Sequence, residues 1–119
     1  MKLVSAEGSA LDHILDESHD IWSDGLSRLA YARFNAAQTR TPWGARHLRR
    51  CALLDGRGEV LSSAKRYDLR ARLDGRDIAV AGLGAVFTPD RMRGRGHARA
   101  LVEQILAAAD RKSVVRERV

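Results

Sequence analysis

The sequence predicts an α+β fold, an α/β sandwich, on three observations. Two stretches in the first third repeat their apolar residues every three or four positions. The middle third holds strand-like runs separated by Asp-Gly turns. An apolar run then passes through a Gly/Arg loop straight into another amphipathic stretch. The predicted order is a short first strand, two helices, three antiparallel strands and a last helix.

Taken in order, Lys2 to Ser5 reads as a short edge strand. Leu11, Ile14, Leu15 and Trp22 share one helical face, which predicts a helix near residues 9–22. Asp24-Gly25 interrupts it. Leu26, Leu29, Ala30, Phe34 and Ala37 form a second stripe, for a helix near 25–38, with Arg33 as its blemish. Thr39 to Gly44 reads as a loop, because Pro42 and Gly44 both break helices. His47 to Leu54 is a strand, and Asp55-Gly56-Arg57-Gly58 turns it into the next. In Val60–Leu73, Tyr67, Leu69, Ala71 and Leu73 alternate with Arg66, Asp68, Arg70 and Arg72. The charged set reads as the solvent side. Asp74-Gly75 makes a second hairpin. Ile78 to Phe87 is apolar without alternation, the pattern of a strand buried on both faces. Ala98, Leu101, Val102, Ile105, Leu106 and Ala109 then mark the last helix.

Composition narrows the class. At 119 residues, 45% hydrophobic and 30% charged, the chain is one globular domain. No apolar run approaches the roughly 18–20 residues of a membrane helix. The N-terminus turns acidic too soon for a signal peptide. The single cysteine, Cys51, excludes an internal disulfide and reads as a small core thiol, and a cytoplasmic setting is expected. His13 and His19 do not share a helix face, so no metal site is expected. The formal net charge of +6 favours anionic partners. Of the basic residues only Lys2, Lys65 and Lys112 are lysine, which leaves 18 arginines. They concentrate at one helix start, in Arg91 to Arg99. That suits a compact anion better than a polymer. A basic nucleic-acid-binding module is the alternative, and the chain lacks the aromatic stacking set and recognition helix such a module uses.

That strand, loop and helix carry the chemistry. Gly94 and Gly96 let the backbone turn and approach a ligand closely. Backbone N–H groups at a helix start converge on one spot, where the helix dipole favours negative charge. The unit is a pyrophosphate cradle without the Lys-Ser/Thr of a Walker loop or a full G-x-G-x-x-G.

Here the chain resembles the GNAT (Gcn5-related) N-acetyltransferases. Their acetyl-CoA motif, Gln/Arg-x-x-Gly-x-Gly/Ala, matches Arg93-Gly94-Arg95-Gly96-His97-Ala98, preceded by Ala85-Val86-Phe87-Thr88-Pro89. Arg91-x-x-Gly94-x-Gly96 fits as a second register, and the first is preferred because it sets Ala98 in the helix stripe. The resemblance implies an acetyl-CoA-dependent N-acetyltransferase, with direct attack of a small amine or lysine-like acceptor on the thioester. It implies that Ala85, Val86 and Phe87 hold the thioester and pantetheine. It places the pyrophosphate on Arg93, Gly94, Arg95, Gly96, His97, Ala98 and Arg99. Charge alone suggests Arg91 and Arg95 for the remaining phosphates. Trp22, Thr41-Pro42-Trp43, Leu61-Ser62-Ser63 and Val86-Phe87-Thr88-Pro89 resemble a subgroup that includes fungal lysine N6-acetyltransferases. Lys65 stands where that subgroup often carries an acidic residue, which argues against lysine as acceptor. Trp43, in its loop, is a candidate wall of the acceptor site.

The family's usual general acid, a tyrosine on a later helix, has no counterpart in the sequence. No catalytic residue is assigned, and Tyr67 is the first candidate. Residues 1–109 are therefore expected to form the N-terminal part of one GNAT domain, a partial fold. Residues 110–119 are expected to be a non-native or truncated tail, with Val114-Val115 as the alternative start of a fifth strand. An inactive or weakly active fragment, associating through an exposed sheet edge or acting only with a partner, follows as an expectation.

Overall fold

The computed structural model describes residues 1–112. Strands β1 (Lys2–Ser5), β2 (Leu48–Leu54), β3 (Val60–Leu73) and β4 (Arg76–Phe87) form one antiparallel sheet in that order. Helices α1 (Gly8–Trp22) and α2 (Arg28–Arg40) follow β1, and a short α3 (Pro42–His47) leads into β2. A single 3-10 turn, Asp90–Met92, precedes α4 (His97–Lys112).

Successive residues of β2 point to opposite faces, and this makes the sandwich. Cys51 and Leu53 join Leu101 and Ile105 of α4 in one buried cluster. Ala52, between them, joins Ile14 of α1 in another. Fully burying a side chain such as Ile14 or Leu101 contributes about 1.5–3 kcal/mol.

The α1 stripe is as predicted at Ile14 and Leu15, which are buried with Ser18. Asp24 and Gly25 take positive φ and end the segment. Helix α2 starts later than the apolar stripe suggests, because Ser27 caps it by accepting from the Ala30 N–H at 3.1 Å. Its buried face is also different. Leu29 and Phe34 are 61% and 55% exposed, while Tyr31 and Asn35 are buried. Polar bonds set this orientation: Tyr31 Oη pairs with Ser18 Oγ at 2.9 Å, and Asn35 Oδ1 accepts from Arg50 Nη2 at 3.0 Å. Leu26 and Phe34 turn instead to an open pocket.

The expected Thr39–Gly44 loop is mostly helix. Pro42 occupies the first turn of α3, where its missing N–H costs nothing. Thr41 Oγ1 caps α3 by accepting from the Gly44 N–H at 2.8 Å. Gly44 packs so closely under the Gln38 carbonyl that a Cβ would overlap it.

Both predicted hairpins form. At the second, Asp74 and Gly75 have φ of 52° and 76°, the left-handed pair of a type I′ turn. The outer half of this hairpin is exposed on both sides, including Leu69 and Leu73, so its apolar alternation buries no face. Strand β4 is not buried on both faces either. Val80 and Val86 are exposed and Phe87 is buried, because among the described residues β4 is an edge with β3 as its one neighbour. Helix α4 continues through Lys112, so Asp110 to Lys112, expected to belong to a separate tail, are helical. The rest of that tail, residues 113–119, lies outside the described residues. Among the described residues no helix is long and apolar enough to cross a membrane.

Candidate active site

Strand β4 bends where the site begins. Ser63 faces Phe87 and Lys65 faces Gly84, so β4 carries one more residue than β3 across this interval. The extra residue makes a bulge at Ala85–Val86, and Ala85 takes φ of 48°. A left-handed alanine costs about 1 kcal/mol, a strain held in place by the ladder on either side. Beyond the bulge, Ser62 Oγ donates to the Phe87 carbonyl at 3.0 Å and pairs with Thr88 Oγ1 at 3.0 Å. That fixes the strand's end. Pro89 is fully buried, and Met92 plugs into the α4 side of the core, anchoring the loop.

Gly94 and Gly96 then have φ of 79° and 78°, conformations that suit glycine. The first bond of α4 runs from the Ala100 N–H to the Gly96 carbonyl, at 3.0 Å. The N–H groups of Gly96, His97, Ala98 and Arg99 therefore have no carbonyl partner among the described residues. Four donors at a positive dipole end face a cleft of about 390 Å³.

That cleft brings together most of the residues singled out from sequence. Val86 and Phe87 line it from β4, and Arg93, Gly94 and Gly96 from the loop. His97, Ala98 and Arg99 line it from the first turn of α4. Ile21 and Trp22, at the end of α1, form the facing wall. Trp22 packs edge-on to Phe87, with ring centroids 5.9 Å apart. The sequence sets Trp22 on the apolar stripe of α1; its signal as a site residue is an aromatic at a helix end beside an Asp-Gly break.

The arginines divide by role. Arg93 Nε donates to the Thr88 carbonyl at 3.0 Å and its Nη1 meets Asp90 at 2.8 Å, so it braces the loop. Arg99 pairs with Glu103 one turn along α4. Arg95 is exposed and does not line the cleft. Arg91, singled out on charge alone, does not line the cleft. Its guanidinium is held by Glu17 at 2.7 Å and Glu59 at 3.1 Å. Those two hydrogen bonds, Glu17 first, raise its pKa above the ordinary arginine value.

A second pocket, about 530 Å³, adjoins the first and shares Trp22 and Val86 with it. Ala85 lines this one, opposite Tyr31 and Phe34 of α2, with Arg50 and Lys65 on the sheet. Arg50 went unnoticed in the sequence. Its signal is an arginine in phase with Leu48, Ala52 and Leu54, on the otherwise apolar one of the two faces of β2. Trp43 lines neither pocket; it packs on His47 and Tyr67, at 5.1 and 6.3 Å between centroids. Tyr67 lies two residues beyond Lys65 on the same face of β3, against Gly84. Among the described residues no group of His, Cys, Asp or Glu is arranged to hold a metal ion.

Comparison with known proteins agrees with this architecture. The model of the acetyltransferase (GNAT) domain matches residues 13–115, and the chain belongs to that family. The family's cosubstrate is acetyl-CoA. Among solved structures, the aminoglycoside antibiotic 6'-N-acetyltransferase AAC(6')-IG from Acinetobacter haemolyticus is 13% identical with a TM-score of 0.65, over 93% of this chain and 72% of that one. AAC(6')-Iy, solved in complex with the bisubstrate analog CoA-S-monomethyl-acetylneamine, is 18% identical with a TM-score of 0.65, over 93% and 72%. A histone acetyltransferase HPA2 and related acetyltransferase from Corynebacterium glutamicum is 17% identical with a TM-score of 0.59, over 91% and 71%. At these identities the likeness is one of fold. Among curated proteins, none matches the sequence significantly.

Proposed function

We propose that the 390 Å³ cleft holds acetyl-CoA and that the adjoining pocket admits a primary amine, which takes the acetyl group by direct attack. The observation that carries this reading is the juxtaposition of the Ala85–Val86 bulge with the unpaired N–H groups of Gly96 to Arg99 in one cleft. The N–H groups and dipole of α4 hold the pyrophosphate, with Gly94 and Gly96 keeping the approach open. Arg93 acts by fixing the loop, and Arg95 and Arg99 add positive field at its rim. Bound acetyl-CoA supplies an acyl thioester. Val86 and Phe87 align the pantetheine arm, and the bulge frees backbone N–H from the ladder to donate to the carbonyl oxygen as charge develops on it. Ala85 faces the amine side. Tyr67 is the candidate proton donor to be tested. A reducing, cytoplasmic setting suits the buried free thiol of Cys51.

Calorimetric titration with CoA tests the cradle. The wild type is expected to bind, and Gly96→Asp is expected to weaken binding at least tenfold, by putting a carboxylate where phosphate sits. Equal affinity for the two proteins would overturn the assignment. Release of the CoA thiol in the presence of an amine panel tests transfer, and Tyr67→Phe tests the proton donor.

A further inference from the structure

We infer that the acceptor is an amine that also carries a carboxylate, bound by Arg50 and Lys65, on an apolar body resting against Trp22, Leu26 and Phe34. This rests on the transferase reading and adds a substrate class to it.

Arg50 and Lys65 are direct partners across the β2–β3 ladder and therefore share a face. Both line the pocket beside Ala85. Like charges placed opposite each other repel, and among the described residues no carboxylate forms an ion pair with either. Arg50 is only 9% exposed, yet its Nη2 bonds to a neutral amide, Asn35, and its Nη1 has no hydrogen-bond partner among the described residues. Lys65 Nζ also bonds to an amide, Gln38 Oε1, at 2.9 Å. Asp24 is the acidic residue among the described residues that line the pocket, and no ion pair joins it to either cation there. Burial lowers the pKa of both groups, and Arg50 lowers that of Lys65 further.

A buried guanidinium without a counter-anion is costly, and an anion carried in by the acceptor offsets that cost. A carboxylate answers both cations at once, with the planar guanidinium giving it direction. The same pair repels polycationic acceptors. The apolar requirement comes from Trp22, Leu26 and Phe34, which stay 39%, 40% and 55% exposed around this pocket.

The test is calorimetry on the full chain saturated with CoA, titrated with L-phenylalanine, L-phenylalaninamide and spermidine. L-phenylalanine is expected to bind at least tenfold tighter than its amide and than spermidine. Arg50→Gln and Lys65→Met are each expected to erase that preference while leaving CoA affinity unchanged. Lys65→Met, at a half-buried site, decides the matter if Arg50→Gln fails to fold. Equal binding of acid and amide, tighter spermidine, or no binding of L-phenylalanine would overturn the inference. So would loss of CoA affinity in the variants, since the anion would then be the cofactor's. Failure of the wild type to bind CoA would sink the transferase reading itself, which the other outcomes leave standing.

Discussion

Single residues carry opposing duties in this molecule. Gly96 has open space around it, so Gly96→Ala meets no neighbour and suffers only its left-handed φ. That variant is expected to lose about 1 kcal/mol of stability by denaturant titration. Lys65 shows the reverse. Its folded pKa is depressed, so its contribution to stability is favourable above its unfolded pKa and falls away as pH drops through the folded one. At neutral pH it is a liability beside Arg50. Lys65→Met is therefore expected to raise stability by about 0.5 kcal/mol at pH 7 and by less at pH 11. Cys51 is buried and its thiol pKa is pushed up by desolvation. In native protein it is expected to stay silent to a disulfide reagent at neutral pH and to titrate as one thiol after denaturation. At this scale the cradle was legible, because glycine needs no partner to reveal a left-handed turn. The pocket beside Ala85 was not, because Arg50 and Asn35 meet only through tertiary packing.

Elements were legible where a local signature acts alone and illegible where a neighbour decides. Asp74-Gly75 forms its hairpin from its own backbone preferences. Pro42 and Gly44 were read as breakers, yet the cap from Thr41 and the tight seat against Gln38 turn both into helix residues. Gly44→Ala is accordingly expected to lower the melting temperature strongly, since its Cβ meets backbone that cannot yield. Thr41→Ala removes a cap and is expected to cost about 1 kcal/mol. Thermal unfolding followed by circular dichroism checks both, and a neutral Gly44→Ala would contradict the packing described for α3. The orientation of α2 escaped the sequence for a related reason: its hydrogen bonds through Tyr31 and Asn35 outrank its apolar stripe. The freed stripe is what leaves Leu26 and Phe34 at the pocket.

Across the whole molecule, the three consecutive antiparallel strands were legible from their two turns, and alternation along β2 divides the core between α1 and α4. What alternation does not reveal is the bulge in β4. One residue inserted between Gly84 and Phe87 leaves the composition of the strand unchanged while redirecting its end. The same architecture sets Trp22 at the boundary of the two pockets, half in solvent and edge-on to Phe87, while Trp43 sits apart on His47 and Tyr67. The protein thus contains its own optical reporter. In a Trp43→Phe background the remaining indole emission should move to shorter wavelength as CoA excludes water from it, and move again when an acceptor analogue arrives. Stopped-flow records of those two steps would reveal the order in which the substrates enter, without any attached dye.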